Sequence, residues 1–279
     1  MSFMITALGK NAGAEVTGVD LSKPLPVDDR QQMRAALVKH IALVFRDQKL
    51  DQDQYADAVR NFGEPLAQNF VDDRLDNPCV SLVSNAIPGV DGKRVYHASY
   101  WHTDHTNRNE PPAFTALYAV ELPTSGGGDT GILNMRAAFK NLSPTMRRRI
   151  ENLHTVNVYS GSAARIKSHK AATLKHSDED KPCVHPLIRT HPDTGDKAIY
   201  LHKGKLEQFE GMSPEDSQTL VDELMQEVEK PEYIYRHKWQ KGDLLIWDDR
   251  ASMHQAFSDY DLQETRMLYR IIAEPQRPY

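Results

Sequence analysis

The sequence predicts a mostly-β domain with flanking helices, and three observations carry that expectation. From Val80 onward, short runs of β-branched and aromatic residues alternate with turn clusters, as at 114–120, 130–134, 243–247 and 267–273. Helical spacing is confined to a few segments with one-sided apolar stripes, which suits helices packed outside a sheet. No internal repeat or low-complexity segment divides the 279 residues. Residues 1–279 therefore read as a single domain, with 1–80 as an N-terminal scaffold and 80–279 as the β core.

Taken in order, 13–21 alternates enough for a short strand, which Pro24 and Pro26 end. Asp28 and Asp29 stand where a helix cap belongs, ahead of Met33, Ala36, Leu37 and His40 at helical spacing. The continuous apolar run 41–45 reads as a buried strand. Residues 51–62 read as a second amphipathic helix, with Tyr55, Ala58, Val59 and Phe62 inward and Gly63 as its stop. Ser143-Pro144 and Ser213-Pro214 each place a cap before a proline, the preferred order at a helix start. After the second pair, Asp216 holds the capping-box position and Leu220, Val221, Leu224, Met225 and Val228 form a stripe. Segment 160–182 is polar and basic without periodicity; a lid over a site and a solvated insertion both fit it.

Composition excludes several classes of function. A formal net charge of -5 gives no basic footprint for nucleic acid. No apolar run reaches the roughly 20 residues that cross a bilayer, and the first residues lack a leader pattern, so the expected setting is cytoplasmic, away from membranes. Cys79 and Cys183 make neither a disulfide framework nor a zinc motif.

Chemistry enters at His102, Thr103 and Asp104. On an extended strand, side chains two apart share a face, so His102 and Asp104 can aim an imidazole and a carboxylate at one point. The third ligand must come from elsewhere. His105 would face the opposite side of such a strand, and His185, His191 and His202 have no carboxylate at useful spacing. His254 follows a buried strand and a polar turn, and completes a set of two histidines and one carboxylate. That set is associated with non-haem iron(II), although ligand type alone does not choose iron over zinc. Shortly after it come Arg266 and Arg270, whose i, i+4 spacing on a strand points both to one side. Their partners could be a bound dicarboxylate or acidic residues of another element.

These residues, with Gly13-Ala-Glu-Val-Thr-Gly-Val-Asp, Val44-Phe-Arg-Asp-Gln, Asn61-Phe-Gly-Glu, Trp101-His-Thr-Asp, Gly127-Gly-Asp-Thr, Arg189-Thr-His-Pro and Ile246-Trp-Asp, give the chain a likeness that spans nearly its whole length. It resembles the taurine dioxygenase and aryloxyacetate dioxygenase family of Fe(II)- and 2-oxoglutarate-dependent oxygenases. The resemblance implies a double-stranded β-helix, a jelly-roll or cupin-like barrel, with helices on one outer side. It implies Fe(II) on His102, Asp104 and His254, 2-oxoglutarate as cosubstrate on Arg266 and Thr130, and O2 as oxidant. The substrate anion would lie at Arg270, in a pocket that Asn69, Tyr100 and His105 are near enough to shape. The implied reaction hydroxylates a small anionic organic molecule and decarboxylates 2-oxoglutarate to succinate and CO2. Halogenating relatives lack the carboxylate that Asp104 supplies, which argues for hydroxylation. Gln68, Val71 and Ala98 stand where taurine-contacting residues are expected, so taurine itself fits poorly. A biosynthetic hydroxylase is the rival within the class; a zinc hydrolase or a non-catalytic small-molecule binder are rivals outside it. Members commonly self-associate, which implies a homo-oligomer.

Overall fold

The computed structural model describes residues 3–68, 75–86, 98–159 and 181–279. Its largest sheet takes strands from both ends of the chain: β1 (Met4–Ala7), β2 (Ala14–Thr17), β3 (Ala42–Phe45), β4 (Ser81–Ser84), β5 (Pro112–Glu121), β13 (Leu244–Asp248) and β15 (Met267–Pro275). They lie in the order β1-β2-β3-β13-β5-β15-β4. A three-stranded sheet, in the order β12-β6-β14, combines β6 (Thr130–Asn134), β12 (Ile234–His237) and β14 (Ser252–Ala256). Two smaller sheets join β7 (His154–Asn157), β8 (Cys183–Pro186) and β11 (Leu206–Phe209), and β9 (Ile188–Thr190) with β10 (Lys197–Ile199). Among the described residues each sheet is open; no strand order closes on itself.

Strand alternation explains how this sheet separates two cores. Leu43, Phe45, Ala116, Tyr118, Leu244, Ile246, Ile271 and Ala273 pack with helices α1 (Val27–His40) and α2 (Gln52–Arg60). Their neighbours Ala42, Val44, Leu117, Ala119, Leu245, Trp247 and Leu268 join a second core that includes Ile132 of β6. Burial on both faces is why β3 and β13 read as unbroken apolar runs. On the far side of the smaller sheet, Leu133 and Met253 pack with α3 (Met135–Lys140), α4 (Pro144–Ile150) and α5 (Pro214–Val228). Because Met253 points outward, the next residue, His254, points in between the two sheets.

The serine caps form as expected: Ser143 Oγ accepts from the Met146 N–H and Ser213 Oγ from the Asp216 N–H, both at 3.1 Å. The start of α1 differs. Its cap residue is Pro26 with no side-chain bond, and Asp28 and Asp29 lie inside the first turn, where their charges favour the helix dipole. Segment 99–106 is not a strand either. It touches the smaller sheet through one isolated bridge at His102 and then turns.

Candidate active site

That single bridge assembles the site. His102 N–H donates to the His254 carbonyl at 3.0 Å, and His254 N–H donates back to the His102 carbonyl at 2.7 Å. A pair that exchanges both bonds carries its side chains on one face, and here the ring centroids are 4.1 Å apart. Thr103 points away and locks the rung by donating to the Ser252 carbonyl at 2.8 Å. The chain then turns, with His105 in the left-handed region at φ 51°, and Asp104 reaches the same point from that turn. His102, Asp104 and His254 are buried, each offering one ligand atom, and those atoms all lie within 4.8 Å of one another.

Each ligand is aimed by a neighbour. His102 Nδ1 lies 2.8 Å from the Tyr100 carbonyl and so carries the proton, leaving the Nε2 lone pair, 3.9 Å from Asp104 Oδ1. The His254 ring packs at a tilt against Trp247, centroids 4.5 Å apart, and among the described residues its Nδ1 has no hydrogen-bond partner; Asp249 Oδ1 lies 3.7 Å from it. Asp104 Oδ2 accepts from Thr115 Oγ1 at 2.9 Å, and Asp249 Oδ2 lies 2.5 Å from the same hydroxyl. Thr115 has one proton for two carboxyl oxygens. Given to Asp104, it leaves Asp249 as the donor in the shorter contact. Burial and the nearby Asp104 charge both push the Asp249 carboxyl well up, which agrees.

Burial pushes the His102 and His254 imidazoles down, so both are neutral donors. Burial alone would raise Asp104, but the Arg270 charge beside it holds it well below the usual carboxylate range. A neutral, neutral and anionic set with nitrogen and oxygen donors fits a divalent transition metal.

Arg270 lies on β15, two residues after Leu268 and so on its face, while Arg266 is the residue just before the strand begins. The Arg266 guanidinium is buried, and among the described residues its polar contacts are the Gly128 carbonyl at 2.7 Å and Thr130 Oγ1 at 3.4 Å. No carboxylate pairs with it there. Burial lowers it only to about 10, so it stays charged. Thr130 Oγ1 also accepts from Trp239 Nε1 at 3.1 Å, so with two donors bound its own proton is free for a further acceptor. The glycine run has its reason here. Gly128 has φ 68°, and a Cβ would lie 3.0 Å from Arg266 Cδ, where nine in ten real contacts are looser.

Arg270 Nη1 sits 4.0 Å from Asp104 Oδ1, and its buried Nε has no hydrogen-bond partner. Tyr100 lies over His102 at 5.3 Å, and its hydroxyl meets Gly204, where a Cβ would come within 2.4 Å. Burial and the Asp104 charge push that phenol up to about 12. His105 is buried with Nε2 unpartnered, held neutral by burial and by Arg108. It lies in a turn rather than on the strand that the spacing argument assumed, and it is not among the three clustered ligand residues. Asn69 and segment 160–180 lie outside the described residues.

The structure adds residues that the sequence did not single out. His202 stacks on His102 at 5.1 Å; its Nδ1 accepts from the Gly204 N–H at 3.0 Å, so its proton sits on Nε2. Thr115 and Asp249 stand behind the ligands. None has a motif; only the His202-to-Gly204 spacing hints at a side chain folded onto its own turn.

The site geometry and the comparisons with known proteins agree. The model of the taurine catabolism dioxygenase TauD, TfdA family matches residues 5–272, and the chain belongs to that family. It is 30% identical over 288 residues to pentalenolactone F synthase of Streptomyces arenae, covering 97% of this chain and 96% of that one. It is 32% identical to the alpha-ketoglutarate-dependent sulfate ester dioxygenase of Pseudomonas putida, covering 95% and 87%. The crystal structure of a taurine dioxygenase from Burkholderia xenovorans superposes with a TM-score of 0.82 at 30% identity, covering 100% of this chain and 91% of that one. The protein is an alpha-ketoglutarate-dependent dioxygenase, which uses Fe(II), 2-oxoglutarate and O2. The zinc-hydrolase and passive-binder readings fall with that assignment.

Proposed function

We propose that the protein hydroxylates a small sulfonate- or carboxylate-bearing organic substrate, with His102, Asp104 and His254 holding Fe(II). The observation that supports an anionic substrate is Arg270: a guanidinium beside the metal ligands, with a buried Nε that has no hydrogen-bond partner among the described residues. Arg266 and the free proton of Thr130 together suit a carboxylate, which makes them the seat for the distal end of 2-oxoglutarate. When bound, iron with 2-oxoglutarate and O2 supplies the oxidant, yielding succinate, CO2 and a hydroxylated substrate. The chain's own residues fix the geometry. Arg270 beside Asp104, and Arg266 four residues earlier against Gly128 and Thr130, give the two anions separate seats. Tyr100 and His105 bound the substrate side, and Asn69 is assigned there from the sequence alone.

Where the hydroxylated carbon bears a sulfonate, sulfate-ester or ether oxygen, the product fragments, so the role is catabolic. Pentalenolactone F synthase marks a biosynthetic role as the second reading. We read the stacked sheets as a flattened double-stranded β-helix, and the chain as one cytoplasmic domain that self-associates. Among the described residues no helix is long and apolar enough to cross a membrane.

Anaerobic addition of Fe(II) and 2-oxoglutarate should produce a visible chelate band, and its absence would count decisively against the ligand assignment. Sulfonates, sulfate esters, aryloxyacids and amino acids would then be screened for stimulated succinate formation. For the substrate found, Arg270→Ala should raise KM on the order of tenfold, the worth of one charge-assisted bond. An unchanged KM would remove Arg270 from the substrate site.

A further inference from the structure

Asp249 touches the machinery of two ligands at once. Through Thr115 it backs Asp104: the hydroxyl lies 2.5 Å from Asp249 Oδ2 and 2.9 Å from Asp104 Oδ2. Its other oxygen, Oδ1, accepts from Trp247 Nε1 at 3.1 Å and lies 3.7 Å from His254 Nδ1. Both side chains are fully buried, Thr115 at 0% and Asp249 at 0% exposure. Strand pairing fixes their placement. Thr115 on β5 is opposite Trp247 on β13, and Asp249 begins the turn that leads into β14 and His254. One threonine and one carboxyl group, both at the same end of the paired strands β5 and β13, thus stand behind the ligands.

We propose that Thr115 and Asp249 are positioning residues of the metal site. Thr115 engages Oδ2 of Asp104 and so leaves Oδ1 as the oxygen that would reach the metal. Asp249, tethered by Trp247, sets the reach of Thr115 and stands behind the His254 ring. Groups behind metal ligands commonly change metal affinity 10- to 100-fold. The proposal rests on the ligand assignment above and adds to it an account of why a solvent-free threonine and a second acid face that point.

The test is Co(II) titration of metal-free protein, read by visible absorption, in the wild type and in Thr115→Val, Thr115→Ser and Asp249→Ala. Valine keeps the volume and removes the hydroxyl; serine restores it. Thr115→Val and Asp249→Ala should weaken Co(II) binding about tenfold and change the ligand-field bands, while Thr115→Ser returns both toward wild type. Thermal melts of the metal-free variants separate lost folding from lost positioning. If Thr115→Val folds and binds Co(II) with wild-type affinity and spectrum, or if serine rescues nothing, the proposal is overturned. Should Thr115→Val fail to fold, Asp249→Ala alone decides by the same affinity and spectrum. A wild-type protein that binds no Co(II) instead refutes the triad, a failure distinct from one seen only in the variants.

Discussion

Arg266→Ala is expected to weaken 2-oxoglutarate binding on the order of 10²-fold while leaving metal affinity within a few-fold of wild type. The magnitude follows from the geometry. A distal carboxylate at this place loses two charge-assisted bonds of roughly 1.5–3 kcal/mol each, partly offset because the unbound guanidinium was itself costly to bury. The specificity follows from separation: Arg266 contacts Gly128 and Thr130, and none of its described bonds reaches a metal ligand. Arg266→Lys keeps a charge but loses the fork, so it should fall between the two. Because burial lowers the guanidinium only to about 10, 2-oxoglutarate affinity should be insensitive to this group through neutral pH and fail only as pH rises past that value. Anaerobic titration of the chelate band against 2-oxoglutarate measures the first quantity, and Co(II) titration the second. Parallel losses of both would make Arg266 a structural residue.

Local signals in the sequence carried the elements whose causes are local. The Ser-Pro starts of α4 and α5 and the apolar run of β3 each depend on neighbours within a turn or a strand. The two arginines were legible from their i, i+4 spacing, although only Arg270 lies on β15 and Arg266 directly precedes it. His102 and Asp104 were found by the right pair and the wrong geometry: a bridge and a turn, rather than a strand, bring them together. Fully tertiary features gave no signal. Thr115 looks like any β-branched strand residue, and Asp249 like a turn aspartate, until β5 and β13 pair. His202 lacks a carboxylate partner in sequence because its role rests on ring contacts with His102 and Tyr100. Helix α3 was missed because it is short and its cap, Asn134, is also the last residue of β6.

β13 ends on Asp248 and the turn begins with Asp249; these two aspartates face opposite ways, and the first should dominate stability. Asp248 is fully buried and accepts from Arg250 Nε at 2.8 Å, Arg250 Nη2 at 2.7 Å and His191 Nε2 at 2.9 Å. His191 Nδ1 accepts from the Asp193 N–H, so its proton sits on Nε2 and the ring donates while neutral. Asp248→Asn keeps the shape and removes the charge, leaving Asp193 at 2.9 Å as the carboxylate that pairs with the buried Arg250 among the described residues. Breaking such a pair costs roughly 3–5 kcal/mol, which lowers Tm on the order of 10 °C for a chain of this size. The sign with pH is fixed. Burial acts to raise Asp248, but the bonds from Arg250 and His191 hold it well below the usual carboxylate range. A carboxyl depressed in the folded state adds stability above its unfolded value near 4 and loses it as pH falls from there toward the folded value. The melting difference between wild type and Asp248→Asn should therefore be full at pH 7 and narrow below about pH 4. Calorimetric melts at pH 7 and pH 3 measure it. An Asn variant that melts with the wild type at pH 7 would show that the Asp248 charge contributes nothing there. A loss at pH 7 carries a functional consequence: the same turn delivers Asp249 and His254, so destabilising its outward-facing anchor should loosen metal binding as well.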